Sequence, residues 1–119
     1  VGALLTRRCS GSVVIITEHG SGTLRAFLDR YALFIEAAAG VLGPGGRLAI
    51  LMGDYQDREA GFVPLVYHTK RLAFDAGLRQ CCTDIVRFSH GASSGRKVYR
   101  SSFIPGLHDV CVVFEKPRR

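Results

Sequence analysis

The chain has no tryptophan, one methionine and four prolines in 119 residues. Acidic residues are also few, with 10 Asp+Glu against 16 Lys+Arg, for a formal net charge of +6. That imbalance suits anionic partners such as nucleic acid, and it also suits plain solubility, because the basic residues are widely spread. No apolar run approaches the ~20 residues that a membrane span needs. The opening, VGALLTRRCSGS, has too short an apolar part, followed by its arginines, to serve as a signal peptide. There is no internal repeat and no low-complexity tract. Metal spacing is lacking too. The four cysteines, Cys9, Cys81, Cys82 and Cys111, include no Cys-x-x-Cys and have no His at finger spacing. They read as buried free thiols of a reducing cytoplasm, with disulfides the alternative. With these classes set aside, the length indicates one domain, with residues 1–11 as a tail and 12–119 as the folded unit.

What is present is an alternation of apolar runs and amphipathic stretches. Ser12 to Thr17, SVVIIT, is a continuous β-branched run that suits a strand buried on both faces. A polar turn, Glu18-His19-Gly20-Ser21-Gly22, follows, and Thr23 stands where a helix N-cap belongs. Leu24, Phe27, Leu28, Tyr31, Phe34, Ile35, Ala38 and Val41 then recur at helical spacing. Gly and Pro in LGPGG stop that helix, and Arg47 to Met52 forms a second strand closed by Gly53-Asp54. Tyr55 to Gly61 reads as a charged loop. A second amphipathic helix follows, with Pro64 in its first turn and Gly77 at its end. Leu78 to Phe88 reads as a third strand that Thr83 and Asp84 interrupt. Ser89 to Leu107 is a long Ser/Gly/Arg/Lys-rich segment, and Asp109 to Glu115 is the last strand.

This order predicts an α/β fold: a four-stranded mixed sheet, three strands parallel through right-handed crossovers and the last antiparallel, with two helices on one face. Sites in such folds lie at the carboxyl ends of strands. Glu18 and His19 end the first strand there as a candidate acid/base pair, beside the alternative of a polar turn. Asp54 ends the second strand and lines the same crevice or caps a turn. Gly43, Gly45 and Gly46 follow a helix and precede a strand, the reverse of a phosphate loop, so they are a turn. Arg87, Arg96, Lys97, Tyr99 and Arg100 bring mobile cations and one aromatic together, the chemistry of phosphate contact and base stacking. A four-stranded sheet with helices on one face leaves the other bare over about 300 Å². Covering it contributes on the order of 7 kcal/mol. A second copy or a partner subunit is therefore expected.

Three stretches together resemble the later half of a class I S-adenosylmethionine-dependent methyltransferase, of the DNA-modifying family that acts on exocyclic amino groups of adenine or cytosine. They are the helix with LGPGGRLAILMGD, the helix PLVYHTKRLAFDAGL leading into a strand, and SSFIPGLHDVCVVFEK, which is similar to that family's closing hairpin. The resemblance implies half of a Rossmann-like fold. The family's cofactor site is a glycine-rich turn after its first strand, and only 11 residues precede Ser12. Its catalytic motif is a polar residue, two prolines and an aromatic, where this chain reads Thr17-Glu18-His19-Gly20. The resemblance thus implies a methyltransferase-like domain with no cofactor bound by this chain alone. S-adenosylmethionine is then held only together with a partner, in a remnant or a subunit of a split DNA methyltransferase. A basic nucleic-acid-binding module is the alternative.

Overall fold

The computed structural model describes residues 2–3, 12–16, 23–88 and 108–118, with side chains for the last two ranges. The strands are β1 (Gly2–Ala3), β2 (Ser12–Ile16), β3 (Arg47–Met52), β4 (Tyr55–Asp57), β5 (Gly61–Val63), β6 (Arg79–Gln80), β7 (Ile85–Phe88) and β8 (His108–Glu115). The helices are α1 (Leu24–Val41), between β2 and β3, and α2 (Leu65–Asp75), between β5 and β6.

The α1 boundaries follow from local chemistry. The Thr23 hydroxyl accepts from the Ala26 N–H at 3.1 Å, satisfying a donor that the first turn leaves open. At the other end Lys116 Nζ donates to the carbonyls of Ala39 and Leu42, both at 2.9 Å. A cation there meets the negative end of the helix dipole. The following turn is the glycine turn expected from LGPGG: Gly46 N–H donates to Gly43 O at 2.9 Å. Gly45 has a φ of +79°, and the Arg118 guanidinium lies 2.9 Å from where its Cβ would stand. The backbone angle therefore calls for glycine, and a side chain there would also have to displace the Arg118 guanidinium.

The main sheet has six strands in the order β1-β2-β3-β8-β6, with β7 also paired to β8. Among the described residues only β2 and β3 pair parallel, Ser12 opposite Arg47 through Ile16 opposite Leu51. All other ladders are antiparallel. This corrects the expected four-stranded sheet with three parallel strands. The third expected strand does not pair with β3, because β8 lies between them, with Arg47 opposite Glu115 and Met52 opposite Val110. That strand is also broken in two: Cys82 to Asp84 leave the ladder, so β6 meets β8 at Glu115 and Phe114 and β7 meets it at Cys111 to His108. A further strand, β1, lies within the segment expected as a tail and pairs antiparallel with β2. The expected charged loop at Tyr55–Gly61 is a β4–β5 hairpin instead.

Both helices pack on one face of the sheet, in one core. Phe27, Tyr31, Ile35, Ala38 and Ala39 of α1 and Leu65, Leu72 and Ala73 of α2 meet Leu48, Ile50 and Met52 of β3 and Val110, Val112 and Phe114 of β8. Alternate strand residues share a face, so Ala49, Leu51, Cys111 and Val113 point to the other side, where they are only half-buried. In the core, Tyr31 OH and Thr69 Oγ1 form a hydrogen bond of 2.7 Å between fully buried side chains of α1 and α2.

Candidate functional site

The carboxyl ends of β2 and β3 lie side by side, since Ile16 pairs with Leu51. Beyond β3 the chain turns at Gly53-Asp54 into the β4–β5 hairpin and then α2. Asp54 Oδ1 accepts from the Val66 N–H at 3.0 Å. Pro64, at the N-cap of α2, offers no side-chain acceptor, so Asp54 supplies the cap from twelve residues upstream. The carboxylate also faces the positive end of the α2 dipole. Of the two readings of Asp54, the capping one has its hydrogen bond.

His68 lies one turn further along α2. Burial and then Arg71 hold its imidazole below the ordinary histidine range, against an opposing pull from Asp54. Its Nδ1 is buried without a hydrogen-bond partner among the described residues. The Tyr55 phenol is raised above its ordinary value by burial, then by Asp57. Asp57 itself shapes the hairpin tip: Oδ2 accepts from the N–H groups of Glu59 and Ala60 at 3.0 and 2.9 Å. Gly61, with φ +79°, closes the loop. The tip residues Asp57 to Ala60 and the start of α1, Thr23 and Leu24, line an open cleft of about 520 Å³.

On the other side of the β3 end stands Asp109. Its Oδ1 lies 3.2 Å from where a Cβ on Gly53 would stand, so a side chain there would crowd the carboxylate. Oδ2 of Asp109 accepts from Arg87 Nη2 at 2.6 Å, across the β7–β8 ladder.

Of the residues singled out from sequence, Asp54 and Arg87 are thus both at this end of the sheet but on separate sides of the β3 terminus. Asp54 is engaged by α2, and Arg87 by Asp109. Glu18, His19, Arg96, Lys97, Tyr99 and Arg100 lie outside the described residues. The Gly53–Asp109–Arg87 arrangement was not anticipated. The sequence signals were the Gly-Asp that closes the second strand and Asp109 before the last strand, a residue whose expected role was structural; that the two meet is a tertiary fact. Of the four cysteines expected to be buried, Cys9 lies outside the described residues, Cys81 and Cys82 are exposed, and Cys111 is half-buried. The third strand breaks beside them, at the interruption that Thr83 and Asp84 marked, and the break opens Cys81 and Cys82 to solvent.

No family model and no curated protein matches the chain. Among solved structures it is similar to a candidate DNA modification methylase from Thermus thermophilus, in three structures of that protein. The selenomethionine form has a TM-score of 0.72 at 20% identity, over 92% of this chain and 45% of that one. The complex with S-adenosyl-L-methionine has 0.70 at 20%, over 92% and 46%. The remaining structure has 0.71 at 19%, over 92% and 47%. The chain therefore spans a little under half the length of the methylase chains it matches, and over that span it has a methyltransferase-like fold.

Proposed function

We propose that this chain forms one part of a DNA-modifying methyltransferase, the part that carries the crossover helices and the inserted last strand rather than the cofactor. The observation that carries the reading is the fold match over 92% of the chain to just under half of a methylase. The half-buried side chains Ala49, Leu51, Cys111 and Val113 support it, because a sheet face of this kind stabilises a complex when covered. The cover is a second polypeptide portion, or a second copy of the chain, and S-adenosylmethionine binds only when that cover is in place. Glu18 and His19, which follow β2 in sequence, serve as the acid/base pair for the acceptor amine. Asp54 acts as a positioning residue, since its carboxylate anchors α2. Arg87, Arg96, Lys97, Tyr99 and Arg100 contact the nucleic acid, with Arg87 the weakest member because Asp109 already compensates its charge.

Calorimetry with S-adenosylmethionine tests the reading. The isolated chain should bind none, and it should shift short DNA duplexes at low salt only, with affinity falling steeply as salt rises. Micromolar affinity for the cofactor by the chain alone would overturn the division of labour. Cofactor-free DNA binding of undiminished strength at physiological salt would favour the accessory-module alternative instead.

A further inference from the structure

The sheet face turned away from α1 and α2 is laid out in rows, because residues paired directly across a ladder point to the same side. At the amino end of β3, Arg47 pairs with Glu115 of β8, which also pairs with Arg79 of β6. Two residues along, Ala49 pairs with Val113, whose carbonyl accepts from the Cys81 N–H at 3.1 Å. Leu51, Cys111 and Ile85 form the next row. The last row is Asp109 with Arg87, beside Gly53. Two apolar rows are thus bracketed by two charged ones. Among the described residues no helix covers this face, since both helices pack on the other. Ala49, Leu51, Cys111 and Val113 are half-buried, Cys81 is exposed and Ile85 is 51% exposed.

The two charged rows differ. Asp109 and Arg87 balance one for one, at 2.6 Å. In the first row one carboxylate serves two guanidinium groups: Glu115 Oε1 accepts from Arg79 Nη2 at 2.9 Å, and Oε2 lies 3.5 Å from Arg47 Nε. The carboxylate is largely covered and both arginines are mostly exposed, so this rim carries a surplus positive charge. From Asp109 to Glu115 the strand rises about 20 Å. An α-helix covers that length in about 13 residues, and its carboxyl end brings the negative pole of its dipole to the surplus charge. A second copy of this chain brings no such complement. Packed face to face about a twofold axis, the first row meets either itself or the balanced last row, and the surplus remains.

We propose that this face takes an amphipathic helix of a separate polypeptide, about 13 residues long. Its apolar stripe lies across the two middle rows, and acidic side chains in its last turn meet Arg47 and Arg79. The proposal rests on the reading that a second polypeptide portion covers the open side of the sheet. It gives that portion a secondary structure, a charge pattern and a direction.

The test uses the full chain and two fluorescein-labelled helical peptides of about 14 residues with the same Leu/Ala stripe, one ending in a pair of Glu and the other in a pair of Lys. In fluorescence anisotropy at low salt the Glu peptide should bind about tenfold more tightly. Lys suits the last turn of a free helix better, so this preference has to come from the arginines. Binding should shield Cys81 and Cys111 from N-ethylmaleimide. Arg47→Gln/Arg79→Gln should abolish the preference and keep the shielding, and Glu115→Gln, which leaves both arginines uncompensated, should widen it. Equal affinity for the two peptides, binding that leaves both thiols open, or no binding overturns the proposal. So does shielding of the two thiols by self-association, read by sedimentation, or by a DNA duplex. The methyltransferase reading fails separately, if the isolated chain binds S-adenosylmethionine in calorimetry, and that result leaves the peptide preference untouched.

Discussion

The Tyr31–Thr69 hydrogen bond offers the sharpest test of the packing between α1 and α2. Both side chains have no solvent exposure, and their oxygens are 2.7 Å apart. Thr69→Val keeps the shape but leaves the phenol with no acceptor. A buried hydroxyl without a partner costs about 1–3 kcal/mol. Tyr31→Phe keeps the ring stacked on Phe27, with centroids 5.4 Å apart, and strands only the Thr69 hydroxyl. That hydroxyl can turn to the carbonyl of Leu65 one helical turn back, so its loss is smaller, about 1 kcal/mol. The double variant removes both polar groups and should fall well short of the sum, with a coupling of about 1–2 kcal/mol. Urea unfolding followed by circular dichroism reads this as a midpoint lowered by about 0.5–1 M in Thr69→Val at unchanged slope. Strictly additive single effects would refute the argument.

The same tyrosine predicts a pH dependence. Burial pushes its pKa up to about 12 from 10.0, against a smaller opposing effect of the Thr69 hydrogen bond. Between those values the folded chain binds the proton and the unfolded chain does not. The stability is fully present below pH 10 and is lost as pH rises toward 12, by roughly 3 kcal/mol in all. Tyr31→Phe should flatten this alkaline limb, and an unchanged limb would mean that another group causes it.

Two further substitutions probe the helix ends. Asp54→Ala should cost about 1 kcal/mol by uncapping α2, with Asp54→Asn recovering most of it, as thermal melts will show. If Asp54 served the chemistry alone, both variants would melt like the parent. Lys116→Met keeps the apolar stem but strands the carbonyls of Ala39 and Leu42, and should cost about 1–2 kcal/mol in the same melts.

What the sequence made legible follows from which interactions are local. The 3.6-residue spacing from Leu24 to Val41, with Thr23 before it and LGPGG after, placed α1 with its N-cap and its stop, because each signal acts within a few residues. SVVIIT and LAILM placed β2 and β3 as neighbours, since one crossover helix joins them. The hairpin at Tyr55–Val63 was missed because three-residue strands show almost no alternation, and Gln56 and Phe62 point to solvent regardless of polarity. At the site, Asp54 stood out by its place after a strand. Its role did not, because the partner is a backbone N–H twelve residues away, and no side-chain pattern marks a backbone donor.

The inner position of the last strand has a physical reason that the sequence did carry. A central strand has both edges paired and both faces at least partly covered, so it favours apolar residues at every position. In β8, Val110, Val112 and Phe114 face the core, and Cys111 and Val113 face the other side. The competing run, Arg79 to Phe88, holds Arg79, Gln80, Asp84 and Arg87, and its β7 residues are all exposed, as suits a sheet edge. The more apolar strand therefore takes the inner position, and at eight residues it is long enough to serve both β6 and β7. Inserting β8 beside β3 is also what brings Asp109 against Gly53 and sets Arg87 beyond it. The end of the sheet where the candidate site lies is thus built by the strand that comes last in sequence.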